Sequence, residues 1–361
     1  MANKLKVGVL GATGMVGQRF VSLLDGHPWF EVTAVAASAA SAGKSYGDAV
    51  AGRWTRPTPV PAATNKLTVG NASDVASIAG QVDFVFCAVD MDKAATAKLE
   101  EDYARAEVPV VSNNSAHRWT PDVPVIIPEL NPEHAKVIEA QRKRLGTKRG
   151  FITAKPNCSI QSYVPALHPL MSFGPTKIAV CTYQALSGAG KTFESWPEMV
   201  DNVIPFIKGE EEKSEQEPMK IWGTVAGGKI QNATGPLITA QCIRVPVSDG
   251  HMAAVFVAFE RKPSKDQILS AWKELSGKPQ QLGLPSAPKP FLNYFEDDSR
   301  PQTKLDRDAG NGQAISIGRL RPDAVFDWRF VALSHNTVRG AAGGAVLTAE
   351  LLTSEGYIAA K

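Results

Sequence analysis

The sequence predicts an α/β protein in two parts: an N-terminal parallel sheet with helices on both faces, then an α+β part around a mixed sheet. Three observations carry this reading. Short apolar runs alternate with helical patterns up to Gly150. A glycine-rich turn follows the first of those runs. Beyond Gly150 the apolar segments are longer and partly alternating, as expected of strands with one covered face. At 361 residues the chain also exceeds one ordinary core.

In chain order, Leu5 to Leu10 reads as a strand and Met15 to Leu24 as a helix. Strands are expected over Val32 to Ala37 and Phe84 to Val89, a helix over Ala94 to Ala106, and strands over Val108 to Ser112 and Val125 to Ile127. Pro57, Pro59 and Pro61 mark a loop. A helix is expected from Ile160 to Met171. The second sheet draws on Lys177 to Ala185, Leu237 to Pro246, Ala253 to Glu260, Ala314 to Leu320 and Trp328 to Leu333. Phe193 to Lys220 reads as a polar, partly helical excursion, and Leu282 to Pro290 as a proline-rich surface connection. The aromatics of Phe291 to Phe295 suggest an interface, and Arg339 to Ile358 a closing helix. The expected division is 1–152 for the nucleotide part, with 338–361 packing back on it, and 153–337 for the catalytic part.

Lys and Arg number 39 against 36 Asp and Glu, a net charge of +3 spread along the chain, which makes no case for nucleic acid. The basic run Gln141 to Arg149 reads as a solvated helix end and loop. Cys87, Cys158, Cys181 and Cys242 form no CxxC pair, so no metal site is expected. Cys87, Cys181 and Cys242 lie in strand-like runs and read as core. No signal-peptide pattern and no membrane-length apolar run is present, so a cytosolic location is expected.

The first turn, Gly11-Ala12-Thr13-Gly14-Met15-Val16-Gly17, follows a strand and opens a helix, the context a dinucleotide loop requires. It makes the N-terminal sheet Rossmann-type. Gly11, Thr13, Gly14, Met15 and Val16 are expected against the pyrophosphate, where a helix N-terminus offers N–H donors. NAD sites place an acid at the end of the second strand. Here Ser38, Ser41 and Lys44 follow instead, which suits a 2′-phosphate, so NADP is expected.

Lys155-Pro156-Asn157-Cys158-Ser159-Ile160 puts a cysteine where a polar turn meets a helix. Unpaired N–H groups and the helix dipole there favour thiolate. Asp249-Gly250-His251 offers a base. Asn157 can donate toward a developing oxyanion, and the Ser159 hydroxyl can cap the helix. A nucleotide, a reactive thiol and a histidine together point to aldehyde oxidation through a thioester.

Beyond these elements, the chain resembles the aspartate-semialdehyde dehydrogenase family, in the branch with the fungal and archaeal enzymes. The carrying residues are GATGMVG at Gly11 to Gly17, SNNSAHRW at Ser112 to Trp119, IIPELN at Ile126 to Asn131 and KPNCSIQ at Lys155 to Gln161. They continue with YQALSGAG at Tyr183 to Gly190, GEEEK at Gly209 to Lys213, RVPVSDGH at Arg244 to His251 and NTVRGAAGG at Asn336 to Gly344. The resemblance implies NADPH-dependent reduction of L-aspartyl 4-phosphate to the semialdehyde, in threonine and methionine synthesis. It makes Cys158 the nucleophile, His251 the acid/base group and Gln184 the residue orienting the acyl group. It also assigns Arg244 to the substrate carboxylate, Glu210 to its ammonium and Lys213 to phosphate. Arg118, after the SNNS turn, is a second phosphate candidate. The Ser187-Gly188 turn and Asn336 are expected near the nicotinamide, and a homodimer or dimer-based tetramer is expected. N-acetyl-glutamyl-phosphate reductase shares this chemistry, and a non-catalytic NADP-binding regulator would share the loop alone.

Overall fold

A computed structural model describes residues 4–361. Six strands form the first sheet: β1 (Leu5–Leu10), β2 (Phe30–Ala37), β3 (Val69–Asn71), β4 (Phe84–Cys87), β5 (Val110–Ser112) and β6 (Ile152–Ala154). Their order is β3-β2-β1-β4-β5-β6, with every pairing parallel. These strands are short and nearly all apolar because both faces are covered. On them pack α1 (Met15–Leu24), α2 (Lys93–Arg105) and α3 (Ile138–Leu145).

Two expectations need correction here. Val125 to Ile127 is no strand of the sheet; Val125 makes one isolated bridge to Ala154. Pro124 and Pro128 bracket the run and remove the donors that would extend it. The division at 152/153 falls inside β6, which completes the first sheet through Ala154.

Past β6 comes α4 (Ile160–Leu167), which gives way to a 3-10 turn over His168–Phe173, short of the expected Met171 end because Pro169 follows. The second sheet holds β7 (Pro175–Gln184), β10 (Leu237–Arg244), β11 (His251–Phe259), β12 (Leu292–Phe295), β13 (Ile315–Pro322) and β14 (Trp328–Ser334). Its order is β10-β7-β11-β14-β13-β12, and it is mixed: β7 pairs parallel to β10 and antiparallel to β11. A hairpin, β8 (Thr224–Ala226) and β9 (Lys229–Gln231), stands apart. The polar excursion is irregular up to Lys208 and then becomes α5 (Glu210–Ile221). Among the described residues no helix is long and apolar enough to cross a membrane.

The C-terminal segment makes one wide turn over Val338–Ala342 and continues as α6 of the closing region, Gly343–Ser354. It is buried all round and shares a core with Phe20, Phe84 and Phe86 of the first sheet. Glu350 on this helix meets His27 at 2.9 Å. Cys87 and Cys242 are core residues as expected, but Cys181 is only half-buried, on the open face of the second sheet. Phe291 is no surface aromatic: it is buried, with the Arg339 guanidinium 4.7 Å from its ring centre.

Arg339 forms a two-pronged pair with Glu129, one prong at 2.8 Å, both residues being buried. Removing one partner of such a pair strands a buried charge. Arg339→Ala should therefore cost about 3–5 kcal/mol in urea unfolding. Lys98→Ala, which breaks an exposed helix pair with Asp102, should cost about 1 kcal/mol or less. Equal losses would contradict this ranking.

Candidate active site

The dinucleotide cradle forms where β1 turns into α1. Gly11 has φ +78°, and a Cβ on it would stand 2.2 Å from the Ala88 carbonyl oxygen, so only glycine fits. Gly14 starts α1 without a side-chain cap, which leaves the first-turn N–H groups open for an anion. A cavity of about 410 Å³ lies there, lined by Gly11, Thr13 and Gly14, by Ser38 and Ala39 after β2, and by Asn71 and Ser73 at the end of β3. Val89, Asp90 and Met91 after β4 close it. These residues fit a dinucleotide, and no acid stands at the end of β2.

Several expected cofactor residues sit elsewhere. Met15 and Val16 lie in the first turn of α1 outside the cavity lining. Ser41 is buried, with the Arg53 guanidinium 3.4 Å from its hydroxyl, and Lys44 is exposed outside the lining. The turn after Ser38, closed by Ser41 N–H donating to the Ser38 carbonyl, bends the chain away. Asn71, Ser73 and Asp90 were not anticipated. Strand β3, which carries the first, is too short to leave a pattern in sequence.

The chemistry gathers where β7 and β10 end and β11 begins, beside the starts of α4 and α5. Register places Arg244 opposite Gln184, and His251 opens β11. The backbone of Ala185 serves both charged-site residues: its N–H donates to His251 Nδ1 at 3.0 Å, and its carbonyl accepts from Arg244 Nη1 at 2.6 Å. Because Nδ1 accepts, neutral His251 carries its proton on Nε2, as the hydrogen bond implies. That Nε2 is buried without a protein partner. Nε2 and Arg244 Nη1 both lie beneath the Ser187-Gly188 turn, 2.9 and 3.0 Å from where a Gly188 Cβ would be. Burial, then Arg244, pushes the His251 pKa down to about 3. The imidazole is thus neutral, and in this geometry its open nitrogen is the Nε2–H.

Cys158 lies just before α4, in contact with the wide turn from the C-terminal segment. A Cβ on Gly340 would stand 2.9 Å from the Cys158 Cβ. The thiol keeps some access to solvent but is walled by protein on most sides. Burial pushes its pKa up and Glu210 adds to this, while Lys155, Arg118 and Arg244 pull it down. The helix-start argument for thiolate is outweighed by burial.

Asn157 does not offer its amide to an oxyanion. Its Nδ2 donates to both Glu210 oxygens at 3.1 Å, and its Oδ1 accepts from Ser159 N and Oγ at 2.8 and 2.6 Å. Ser159 accordingly caps nothing. Glu210 also receives Lys213 at 2.8 Å and Gln184 at 3.3 Å. Burial opposes its ionisation, but Lys213 and these hydrogen bonds prevail and hold it below the usual carboxylate range. Arg118 is committed: it pairs with Glu217 at 2.9 Å and donates to the Lys155 carbonyl at 3.0 Å. It is buried, so it braces the Cys158 turn and is not free for phosphate. Asn336 is likewise occupied, its Oδ1 accepting from Gly250 N–H and its Nδ2 donating to Ser187 Oγ, both at 2.8 Å. It ties the turn before His251 to the Ser187 turn.

Two family models match: the semialdehyde dehydrogenase NAD binding domain over residues 6–138 and the semialdehyde dehydrogenase dimerisation domain over residues 167–339. The chain is 44% identical to the aspartate-semialdehyde dehydrogenase of Archaeoglobus fulgidus, over 98% of this chain and all of that one. The chain belongs to the aspartate-semialdehyde dehydrogenase family. The enzyme of that name from Aspergillus fumigatus is 42% identical over 98% of this chain and 99% of its own. Among solved structures, the aspartate-semialdehyde dehydrogenase of Candida albicans with NADP superposes with a TM-score of 0.87 at 36% identity, covering 99% of this chain and all of that one. The Vibrio cholerae aspartate-semialdehyde dehydrogenase II complexed with ASA gives 0.74 at 25% identity, covering 98% of this chain and all of that one.

The Gly340 contact has a testable consequence for any chemistry at Cys158. Gly340→Ala must push the cysteine backbone or the wide turn aside, and a shift of about 1 Å costs roughly a hundred-fold in rate. Turnover should fall by that order while cofactor binding, measured by fluorescence titration, stays unchanged. Wild-type turnover in this variant would place the wide turn elsewhere.

Proposed function

We propose that the chain reduces L-aspartyl 4-phosphate to L-aspartate 4-semialdehyde with NADPH, through a thioester on Cys158, and catalyses the phosphorylating reverse reaction. The observation that carries this is the unpartnered His251 Nε2–H beside Arg244, with Arg244 acting electrostatically on the Cys158 thiol. A donor and a guanidinium without a carboxylate partner match an oxyanion and a substrate carboxylate. The regulator reading needs neither.

The Cys158 thiolate attacks the acyl carbon, a C–S bond forms and the phosphate leaves with the C–O bond electrons. Arg244 holds the substrate carboxylate through its planar fork. Glu210, ionised, takes the ammonium, and Lys213 faces the phosphate. The bound cofactor supplies the hydride that reduces the thioester carbonyl. His251 Nε2–H donates to the resulting oxyanion. Collapse of the thiohemiacetal oxyanion breaks the C–S bond and returns the thiolate, so His251 need not give up its proton. Gln184, with its Nε2 on Thr182 and Glu210, keeps the carboxylate in place, as does Asn157; Arg118 braces the Cys158 turn and Asn336 the turn before His251.

The cofactor reading is NADP, held by Gly11, Thr13 and Gly14, with the α1 N–H groups on the pyrophosphate and Ser38 toward the 2′-phosphate. A homodimer is the proposed assembly. The open face of the second sheet presents Ala179, Cys181, Tyr183 and Phe256, half-buried or exposed in the single chain, and could be covered by the same face of a second copy. The tetramer, the cytosolic location and supply of threonine and methionine synthesis complete the proposal.

Cys158→Ala should abolish phosphate-dependent NADP reduction with aspartate semialdehyde and leave NADP binding intact. Near-normal turnover would remove the thioester mechanism.

Arg244→Lys keeps the charge but loses the fork. The loss of a charge-assisted hydrogen bond is worth about 1.5–3 kcal/mol, or roughly one to two decades in kcat/KM. His251→Asn should instead lower kcat with KM nearly unchanged. Steady-state kinetics of both variants checks the assignment, and a wild-type Arg244→Lys enzyme would contradict it.

A further inference from the structure

Among the described residues, Lys155 is a buried lysine beside the Cys158 turn with no carboxylate to answer it. Its side chain is buried, and its ammonium makes a single hydrogen bond, to the Pro156 carbonyl at 2.6 Å. The neighbouring cations differ. Arg118 is paired with Glu217, Arg339 with Glu129, and Lys213 with Glu210. Arg244 has no carboxylate either, but it is assigned to the substrate in the reading above.

Two glycines locate Lys155 relative to the thiol. A Cβ on Gly340 would touch Cys158, and a Cβ on Gly344, four residues on, would stand 3.5 Å from Lys155 Cε. Cys158 and the Lys155 side chain therefore lie under adjacent turns of one segment. Lys155 is itself pinned at both ends of its peptide: its N–H donates to the Ser112 carbonyl at 2.8 Å, and its carbonyl receives Arg118. The side chain has little freedom to leave.

In this geometry His251 has no free lone pair turned to the thiol. Its Nε2 already carries a proton, and Nδ1 is occupied by Ala185 N–H. Accepting a proton from Cys158 would require a cationic imidazole next to Arg244, without its Ala185 bond.

We propose that Lys155 is the counter-charge of the Cys158 thiolate: the proton lost from Sγ is matched by one held on Nζ. The pair exchanges thiol with amine for thiolate with ammonium, with no net change in protons. The inference rests on the thioester reading for its catalytic meaning. Burial, then Arg118, lowers the Lys155 pKa to about 7, while Cys158 and Glu217 raise it and Arg339 lowers it. Lys155 can thus change protonation in the working range of an enzyme, which a solvated lysine cannot. The charged groups that act on the thiol are Glu210, Lys155, Arg118 and Arg244. Of these, Lys155 is the cation neither paired nor assigned to substrate.

The test is the pH dependence of iodoacetamide alkylation, followed at the Cys158 peptide by mass spectrometry so that Cys181 does not confuse it. Lys155→Met should raise the Cys158 midpoint by about one pH unit or more, a ten-fold loss of thiolate below it. Lys155→Arg, a permanent cation, should leave the midpoint at or below that of the wild type. The acidic limb of kcat/KM should move with the Lys155→Met midpoint. An unmoved midpoint in Lys155→Met, or an equal rise in Lys155→Arg, overturns the inference. Loss of the fold in both variants by circular dichroism assigns Lys155 a structural role and overturns it as well. Alkylation needs no turnover, so a raised midpoint in an enzyme inactive on aspartate semialdehyde upholds the inference and removes the substrate reading.

Discussion

Ala185 spends both of its backbone polar groups on side chains of the site, its N–H on His251 Nδ1 and its carbonyl on Arg244. This one residue fixes the imidazole tautomer and aims the guanidinium. It leaves Nε2–H as the open donor. The arrangement depends on the register of β7, β10 and β11, since Ala185 follows β7 directly and Arg244 and His251 end and begin its two neighbours. A slip of one residue in either pairing would send those side chains to the opposite face. Asn336 adds a second tie, from Gly250 to Ser187, that holds the turns on either side of His251 together.

Buried charge is the second constraint. Arg118–Glu217 and Arg339–Glu129 are closed pairs that brace the Cys158 turn from two sides. Charges so paired do not respond to substrate. Glu210, with Asn157, Gln184 and Lys213 around it, is kept ionised despite its burial. Arg244, Lys155 and His251 Nε2–H, by contrast, are left without a carboxylate partner. The distinction between closed and open polar groups separates scaffold from chemistry here more sharply than proximity to Cys158 does.

Local features of the site were legible in the sequence. The glycine turn, the helix-start cysteine and the Asp-Gly-His turn each announce themselves within a few residues, and the glycine turn between β1 and α1 made the parallel first sheet readable. What was not legible depended on distant partners. Arg118 looked free because Glu217, its partner, sits 99 positions away inside a charged helix. Asn157 looked like an oxyanion donor because Glu210 arrives from α5. Val125 to Ile127 had strand composition, but its flanking prolines set its fate. Ser41 and Lys44 followed the right strand, yet a tight turn carried them off the cavity wall. Lys155 was visible in the KPNC motif, but its isolation could be recognised only once Arg118, Arg339 and Lys213 had each been given a carboxylate.

The central claim is that acyl transfer passes through sulfur at Cys158. The most direct measurement is intact-protein and peptide mass spectrometry after mixing the enzyme with NADP and aspartate semialdehyde in the absence of phosphate, quenched in acid. The account predicts an aspartyl adduct on the Cys158 peptide, discharged when phosphate is added before the quench. NADP reduction without any adduct at Cys158, or with an adduct on another cysteine, would contradict it.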